Sequence, residues 1–224
     1  MQAIVTGASR GLGLALTRAL AERGWQVVVD ARDGEALERA VGGLDGVLAV
    51  PGDVADPDHR RRLVEAAGDS IDLLVNNASV LGPSPQPVLA DYPLDELRRV
   101  YEINVVAPLA LVQLALPRLA DGARVVNVTS DAAVEAYETW GGYGSSKAAL
   151  AQITAVLGAE NAHVRFYAVD PGDMRTQMQQ EAFPGEDISD RPPPEESVPG
   201  LLALIEGNLP SGLYRARELV EATA

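Results

Sequence analysis

Tyr143 and Lys147 stand four residues apart in the stretch Tyr-Gly-Ser-Ser-Lys, thirteen residues after Ser130. If the residues after Gly142 are helical, that spacing sets the phenol and the amine one turn apart on the same face. A phenol with an ordinary pKa of ~10 is a poor acid-base catalyst near neutrality. An ammonium held nearby favours the phenolate and draws its pKa toward the working range. A serine hydroxyl beside them can hydrogen-bond the oxygen that gains or loses the proton. Together the three groups suit interconversion of an alcohol and a carbonyl.

Of the 18 basic residues, seventeen are arginine and Lys147 is the only lysine. A guanidinium stays protonated and cannot respond to its neighbours as an amine does, so a tunable cation at this point has to be lysine. An isolated Tyr-x-x-x-Lys is nevertheless a weak motif, and a solvated helix lysine beside a core tyrosine is its plain alternative.

Those side chains need elements to position them, and the chain supplies strands alternating with helical patterns. Its 224 residues suit one large domain or two small ones and can bury a sizeable core; the absence of repeats and of a linker favours one. Strands are expected at Ala3–Thr6, Val27–Val29, Val47–Val50, Ile71–Val75, Arg124–Thr129, Val164–Val169 and Leu213–Ala216. Helices are expected from Leu12 to Arg23, over Glu35–Val41, from Pro57, from Leu94 to Leu119, over Tyr143–Leu157 and over Gly200–Glu206. Pro108 inside the long helix cannot donate to the carbonyl of Asn104, which predicts a kink there. The pattern is α/β: a Rossmann-type doubly wound parallel sheet in a single domain. Between Asp173 and Gly200 the periodicity fails, and so long a stretch suggests a lid on the substrate side.

Composition narrows the function. A net charge of −14 argues against nucleic acid or an anionic membrane as partner. The absence of cysteine excludes disulfides, thiolate chemistry and cysteine-based zinc sites. The two histidines, His59 and His163, have no metal-ligand or Ser/His/Asp grouping around them, so both read as surface residues and no metal site is expected. Arg60-Arg61-Arg62 reads as a solvated run. The N-terminus shows no basic leader, and the apolar run at Leu109–Leu119, broken by Gln113, Pro117 and Arg118, is too short to span a bilayer. The expectation is a cytoplasmic enzyme without a membrane partner.

The candidate residues gather at the C-terminal ends of strands, the edge where an open α/β sheet binds its ligand. In the first turn, Gly7, Gly11 and Gly13 let the backbone approach a pyrophosphate while the next helix offers free N–H groups. At this point the chain resembles the classical short-chain dehydrogenase/reductase family over essentially its whole length. TGASRGLG at Thr6–Gly13 matches that family's cofactor loop, Asp53-Val54 its adenine-contacting pair, and Asn76-Asn77-Ala78 its NNA turn, with Ser79 in place of the common glycine. Asn104, Ser130, Tyr143 and Lys147 fall on its catalytic tetrad, and Pro171-Gly172 with Thr176 on the segment that cradles the nicotinamide.

The resemblance implies an NAD(P)-dependent oxidoreductase that interconverts a carbonyl and an alcohol. Tyr143 would be the general acid or base, Lys147 would lower its pKa and hold the ribose, Ser130 would bond the substrate oxygen, and Asn104 would position a water. Ser9, Arg10, Leu12 and Ala78 complete the implied cofactor contacts. Ala31 occupies the place of the family's NAD-selecting acid, and Arg32 and Arg10 suit a 2′-phosphate, so NADP is expected. NAD is the alternative, with Asp30 as reader of the ribose. Three departures leave the tetrad untouched: no glycine follows Ser130 closely in Asp131-Ala-Ala-Val134, Asp173 follows Pro171-Gly172, and the chain is short at its C-terminus; the last two concern the substrate pocket. By position, Val80, Leu81, Asp131, Val134, Trp140, Asp173 and Met174 line the place of a small-molecule carbonyl or alcohol. Leu109, Leu111, Val112, Leu114, Ala115 and Leu116 cannot all face one sheet, which with the resemblance implies a homodimer or homotetramer. The alternative function is a non-catalytic dinucleotide-binding regulatory or scaffold protein on the same fold.

Overall fold

The computed structural model describes residues 1–221. Seven strands run β1 Gln2–Val5, β2 Gln26–Val29, β3 Val47–Ala49, β4 Ile71–Asn76, β5 Leu119–Val128, β6 Arg165–Asp170 and β7 Gly212–Arg215. They form one sheet in the order β3-β2-β1-β4-β5-β6-β7, parallel at every pairing. The strand order reverses between β1 and β4, so a crevice opens there at the strands' C-terminal ends. Alternating side chains feed two cores. Val27, Val29, Leu73 and Val75 pack with Leu16 and Leu20 on one face, and Val28 and Leu74 pack with Leu63 and Leu111 on the other.

The helices are α1 Gly11–Glu22, α2 Gly34–Val41, α3 Pro57–Ala66, α4 Leu94–Tyr101, α5 Ala107–Ala115, α6 Gly141–Glu160, α7 Gln177–Ala182, α8 Val198–Glu206 and α9 Ala216–Glu221. The expected kink in the long helix is a π-helical turn at Glu102–Val106, joining α4 to α5. Pro108 withholds the donor that the Asn104 carbonyl would take, and the Ala107 N–H reaches back to the Glu102 carbonyl instead. Asn104 lies inside this turn.

Several expectations change. β5 starts at Leu119, five residues before the expected Arg124 and where a helix was expected to end. The segment after Asp173, where no periodic element was expected, carries the short helix α7, capped by the Thr176 hydroxyl accepting from the Gln179 N–H. The closing helix α9 carries too short a pattern to stand out in sequence. The whole helical run Leu94–Arg118 is long and apolar enough by composition to cross a bilayer, although Leu109–Leu119 alone is not; half of its most apolar stretch is buried inside the protein, with Leu111, Val112 and Ala115 in the core beneath the sheet.

Two readings of charged and polar side chains are corrected. His59 is fully buried, because its place four residues before Leu63 puts it on the core face of α3. Arg60 is buried too, donating to the Val54 carbonyl at 2.5 Å, while Arg61 and Arg62 stay exposed. His163 is exposed as expected.

Candidate active site

Gly7 and Gly11 adopt φ of +69° and +58°, conformations that side chains rarely take. A Cβ on Gly7 would stand 2.9 Å from the Ala78 Cα, and one on Gly13 would meet Asn77 and the Gly7 carbonyl at 2.5 Å. The loop is locked from behind. The Asn77 amide donates to the carbonyls of Thr6 and Gly7 at 2.8 and 3.2 Å, and the Thr6 hydroxyl accepts the N–H groups of Asn77 and Ala78, each at 3.0 Å. Arg10, at the N-cap of α1, gives no side-chain cap, so the first helical amides face the crevice with their positive dipole end. A glycine cradle ending on uncapped amides fits a dinucleotide pyrophosphate.

The crevice is a cavity of about 1150 Å³, large enough for cofactor and substrate together. Gly7, Ser9, Arg10, Gly11, Leu12, Ala31, Arg32, Asp53, Val54, Asn77, Ala78, Ser79, Ser130, Tyr143, Lys147, Pro171, Gly172 and Thr176 all line it. Gly13 and Asn104 do not; Gly13 packs behind the loop, and Asn104 is fully buried. Some side chains are already engaged. Asp53 accepts the Ala55 N–H at 2.9 Å, and Arg10 donates to Gln177 on α7, which ties the glycine loop to the segment after β6. Arg32 is exposed on the cavity wall.

At the other end of the cavity Tyr143 and Lys147 are buried on one face of α6, the Lys147 Nζ 5.5 Å from the tyrosine ring centroid. Lys147 donates to the Val128 carbonyl at the end of β5, at 2.8 Å. Burial lowers its pKa to about 7. The expected depression of the Tyr143 pKa is absent. Burial pushes it up, the Asp170 and Asp131 carboxylates add to the rise, and hydrogen bonds with Ser130 and Ser79 oppose it. The amine spends much of its time uncharged near neutrality, so it cannot pull the phenol down as a fixed ammonium would.

Asn104 acts through protein partners. Its carbonyl accepts from Ser79 Oγ and the Val80 N–H at 3.1 and 2.9 Å. Its amide donates to the Val80 carbonyl and Ser146 Oγ at 2.9 and 3.0 Å. It therefore fastens the π turn to the NNA loop and to α6.

Of the expected pocket residues, Val80, Leu81, Asp131, Trp140, Asp173 and Met174 line the cavity. Val134 does not; the turn after Ser130 leaves it 59% exposed. Met178 and Ala182 of α7 pack with Leu81 and Tyr143, while Phe183 tilts against Trp140 at 5.9 Å. Three contributors were not anticipated: α7 itself, Asp170, and Asp131 as a partner of Ser130. The Ser130 hydroxyl donates to Asp131 Oδ1 at 2.9 Å, and the Tyr137 hydroxyl to Asp131 Oδ2 at 3.0 Å. Only the acid directly after Ser130 signals this in the sequence.

The family model described as short chain dehydrogenase matches residues 1–187. The chain is 36% identical over 190 residues to 1-deoxy-11-beta-hydroxypentalenate dehydrogenase of Streptomyces exfoliatus, covering 80% of this chain and 69% of that one. It is 35% identical over 191 residues to the rhamnolipids biosynthesis 3-oxoacyl-(acyl-carrier-protein) reductase of Pseudomonas aeruginosa, covering 79% and 73%. A short chain dehydrogenase of Escherichia coli solved in complex with NADPH superposes with a TM-score of 0.87 at 26% identity, covering 96% and 95%.

The carboxylates around Tyr143 generate a prediction. Asp131→Asn keeps an oxygen for Ser130 and Ala132 but removes a charge that holds the phenol's pKa up. Alcohol oxidation needs the phenolate, so its kcat/KM against pH should shift toward lower pH. An unmoved profile would contradict the electrostatic role given to Asp131.

Proposed function

The chain belongs to the short-chain dehydrogenase/reductase family and is an NAD(P)-dependent oxidoreductase of carbonyls and alcohols; from that premise we propose that Tyr143 is its general acid and base and NADP(H) its preferred cofactor. The observation that carries the first part is the joint burial of Tyr143 and Lys147 at one end of the cavity, with Ser130 in hydrogen-bonding reach of the phenol.

The cofactor supplies the hydride chemistry. The chain's own residues hold it and move the proton. The glycine loop and the amides of α1 receive the pyrophosphate, and Lys147, anchored on Val128, has further donors for ribose hydroxyls. Tyr143 gives its proton to the substrate oxygen during reduction and takes one back during oxidation. A raised pKa keeps it protonated through the neutral range, which favours its acid role there. The Ser130 hydroxyl donates to Asp131 in the structure; swung to the reacting end, its proton favours the phenolate of Tyr143 or holds the substrate oxygen. Asn104 keeps α6 and the NNA loop in register; its four hydrogen bonds to protein groups do not support the water-positioning role. The segment over residues 173–200 acts as a lid, with α7 packed on Trp140, and its amide exchange should slow when cofactor and substrate are both bound.

The NADP preference rests on Arg32 on the cavity wall and on Ala31, which adds no acid beside it. Both Asp30 carboxylate oxygens already have partners, Gly7 and His59. The Escherichia coli relative with NADPH supports the same reading. The substrate is a small molecule with an apolar body, received by Leu81, Trp140 and Met178. Leu109 and Leu114 on α5 stay only partly buried, which supports a dimer or tetramer through that helix; a monomeric mass by light scattering would contradict it.

Tyr143→Phe should fold and bind cofactor normally while turnover of an aldehyde or ketone falls by ~10²-fold or more, the scale of a lost general acid. Retention of most activity would refute the assignment. Ala31→Asp with Arg32→Leu should move the kcat/KM ratio from NADPH toward NADH by removing attraction and adding repulsion. Steady-state kinetics with both cofactors decide this, and an unmodified enzyme that prefers NADH would overturn it.

A further inference from the structure

Asp30 directly follows β2 and His59 lies in the first turn of α3, yet the two meet beneath the glycine loop. The Asp30 Oδ1 accepts the Gly7 N–H at 2.8 Å, and its main-chain carbonyl accepts the Ala8 N–H at 2.9 Å. One residue thus holds two consecutive amides of the loop. His59 Nε2 stands 2.9 Å from Asp30 Oδ2. Asp30 is 1% exposed and His59 is not exposed at all. The fit is close: a Cβ on Gly52 would collide with the His59 ring. His59 Nδ1 has no hydrogen-bond partner among the described residues, so its polar contact with the rest of the protein runs through Asp30 alone.

We propose that Asp30 and His59 form a buried positioning pair, in which His59 aims the Asp30 carboxylate at the Gly7 amide and so sets the affinity of the loop for its cofactor. The proposal rests on the cofactor-binding reading of that loop. His59 stands behind Asp30 and does not itself line the cavity, whereas Asp30 does, so His59 acts through Asp30. The surroundings leave the carboxylate few alternatives. Burial disfavours its charge, Asp53 nearby adds to that, and the Gly7 N–H and His59 offset it. Arg60, the adjacent cation, is turned to the Val54 carbonyl. Without the His59 donor the carboxylate would be left buried with too few partners, and it would take a proton or rotate away. The Gly7 turn would then lose the acceptor that fixes it. A purely structural pair would change thermal stability without changing cofactor affinity in the folded protein.

The test compares wild type, His59→Leu and His59→Gln by titration with NADPH and with NADH, by kcat at saturating cofactor with a carbonyl substrate, and by thermal melting. His59→Leu should raise the cofactor Kd about tenfold or more, the scale of one hydrogen bond to a buried charge. Its kcat should stay within roughly threefold of wild type, since the reacting groups lie at the far end of the cavity. His59→Gln, which keeps a donor, should recover most of the affinity. A folded His59→Leu with unchanged Kd would overturn the proposal, as would a His59→Gln no better than Leu. Wild-type protein that binds neither cofactor would overturn the underlying reading of the loop instead. If His59→Leu does not fold, histidine-labelled wild type decides the matter by NMR, since the chain has only two histidines. The His59 ring N–H should exchange slowly with solvent and its resonance should move when NADPH is added. Fast exchange and no response to NADPH would overturn the pair.

Discussion

The amine of Lys147 is held away from water against the Val128 carbonyl, and the geometry of the catalytic end depends on keeping it there. A buried ammonium is costly unless well partnered, so the group yields by lowering its pKa to about 7. Three structural choices enforce that burial. Strand β5 ends where its last carbonyl meets the amine. Helix α6 carries Tyr143 and Lys147 on the same inward face. The π turn before α5 brings Asn104 against Ser146 on α6 and against the NNA loop. Exchange of this amine for a guanidinium would demand both more room and a permanent charge, which gives a physical reason for one lysine among seventeen arginines.

The cofactor end depends on a different constraint, the closeness of backbone to backbone. Gly7 and Gly13 bring the first turn within contact of Asn77 and Ala78, and Thr6 with Asn77 ties the ends of β1 and β4 together. That junction is the point where the strand order reverses. The pyrophosphate cradle and the catalytic groups are consequently built on neighbouring strand ends of one sheet.

Much of this was legible in the sequence because it is local. Glycine spacing, strand ends and the Tyr-to-Lys interval are properties of a few consecutive residues, and the parallel sheet followed from alternation of patterns. Pro108 announced the irregularity at Asn104, though not that it would take π form. What escaped were pairings between distant segments. His59 looked solvated until its helical phase with Leu63 turned it inward to Asp30, and Arg60 followed for the same reason. Helices α7 and α9 are six residues each, too short for periodicity to show. The direction of the Tyr143 shift also escaped, because it is set by burial and by Asp170 and Asp131 together, and only the three-dimensional arrangement adds those up.

The buried state of the single lysine can be measured directly. Protein labelled with 13C at lysine Cε should give one side-chain resonance, free of overlap, since the chain has no other lysine. Followed against pH in the cofactor-free protein, that resonance should titrate with a midpoint of about 7. A midpoint near the ordinary ~10.4 of a solvated amine would contradict the account, for it would make Lys147 a fixed ammonium at neutrality and show none of the effect of burial against the Val128 carbonyl.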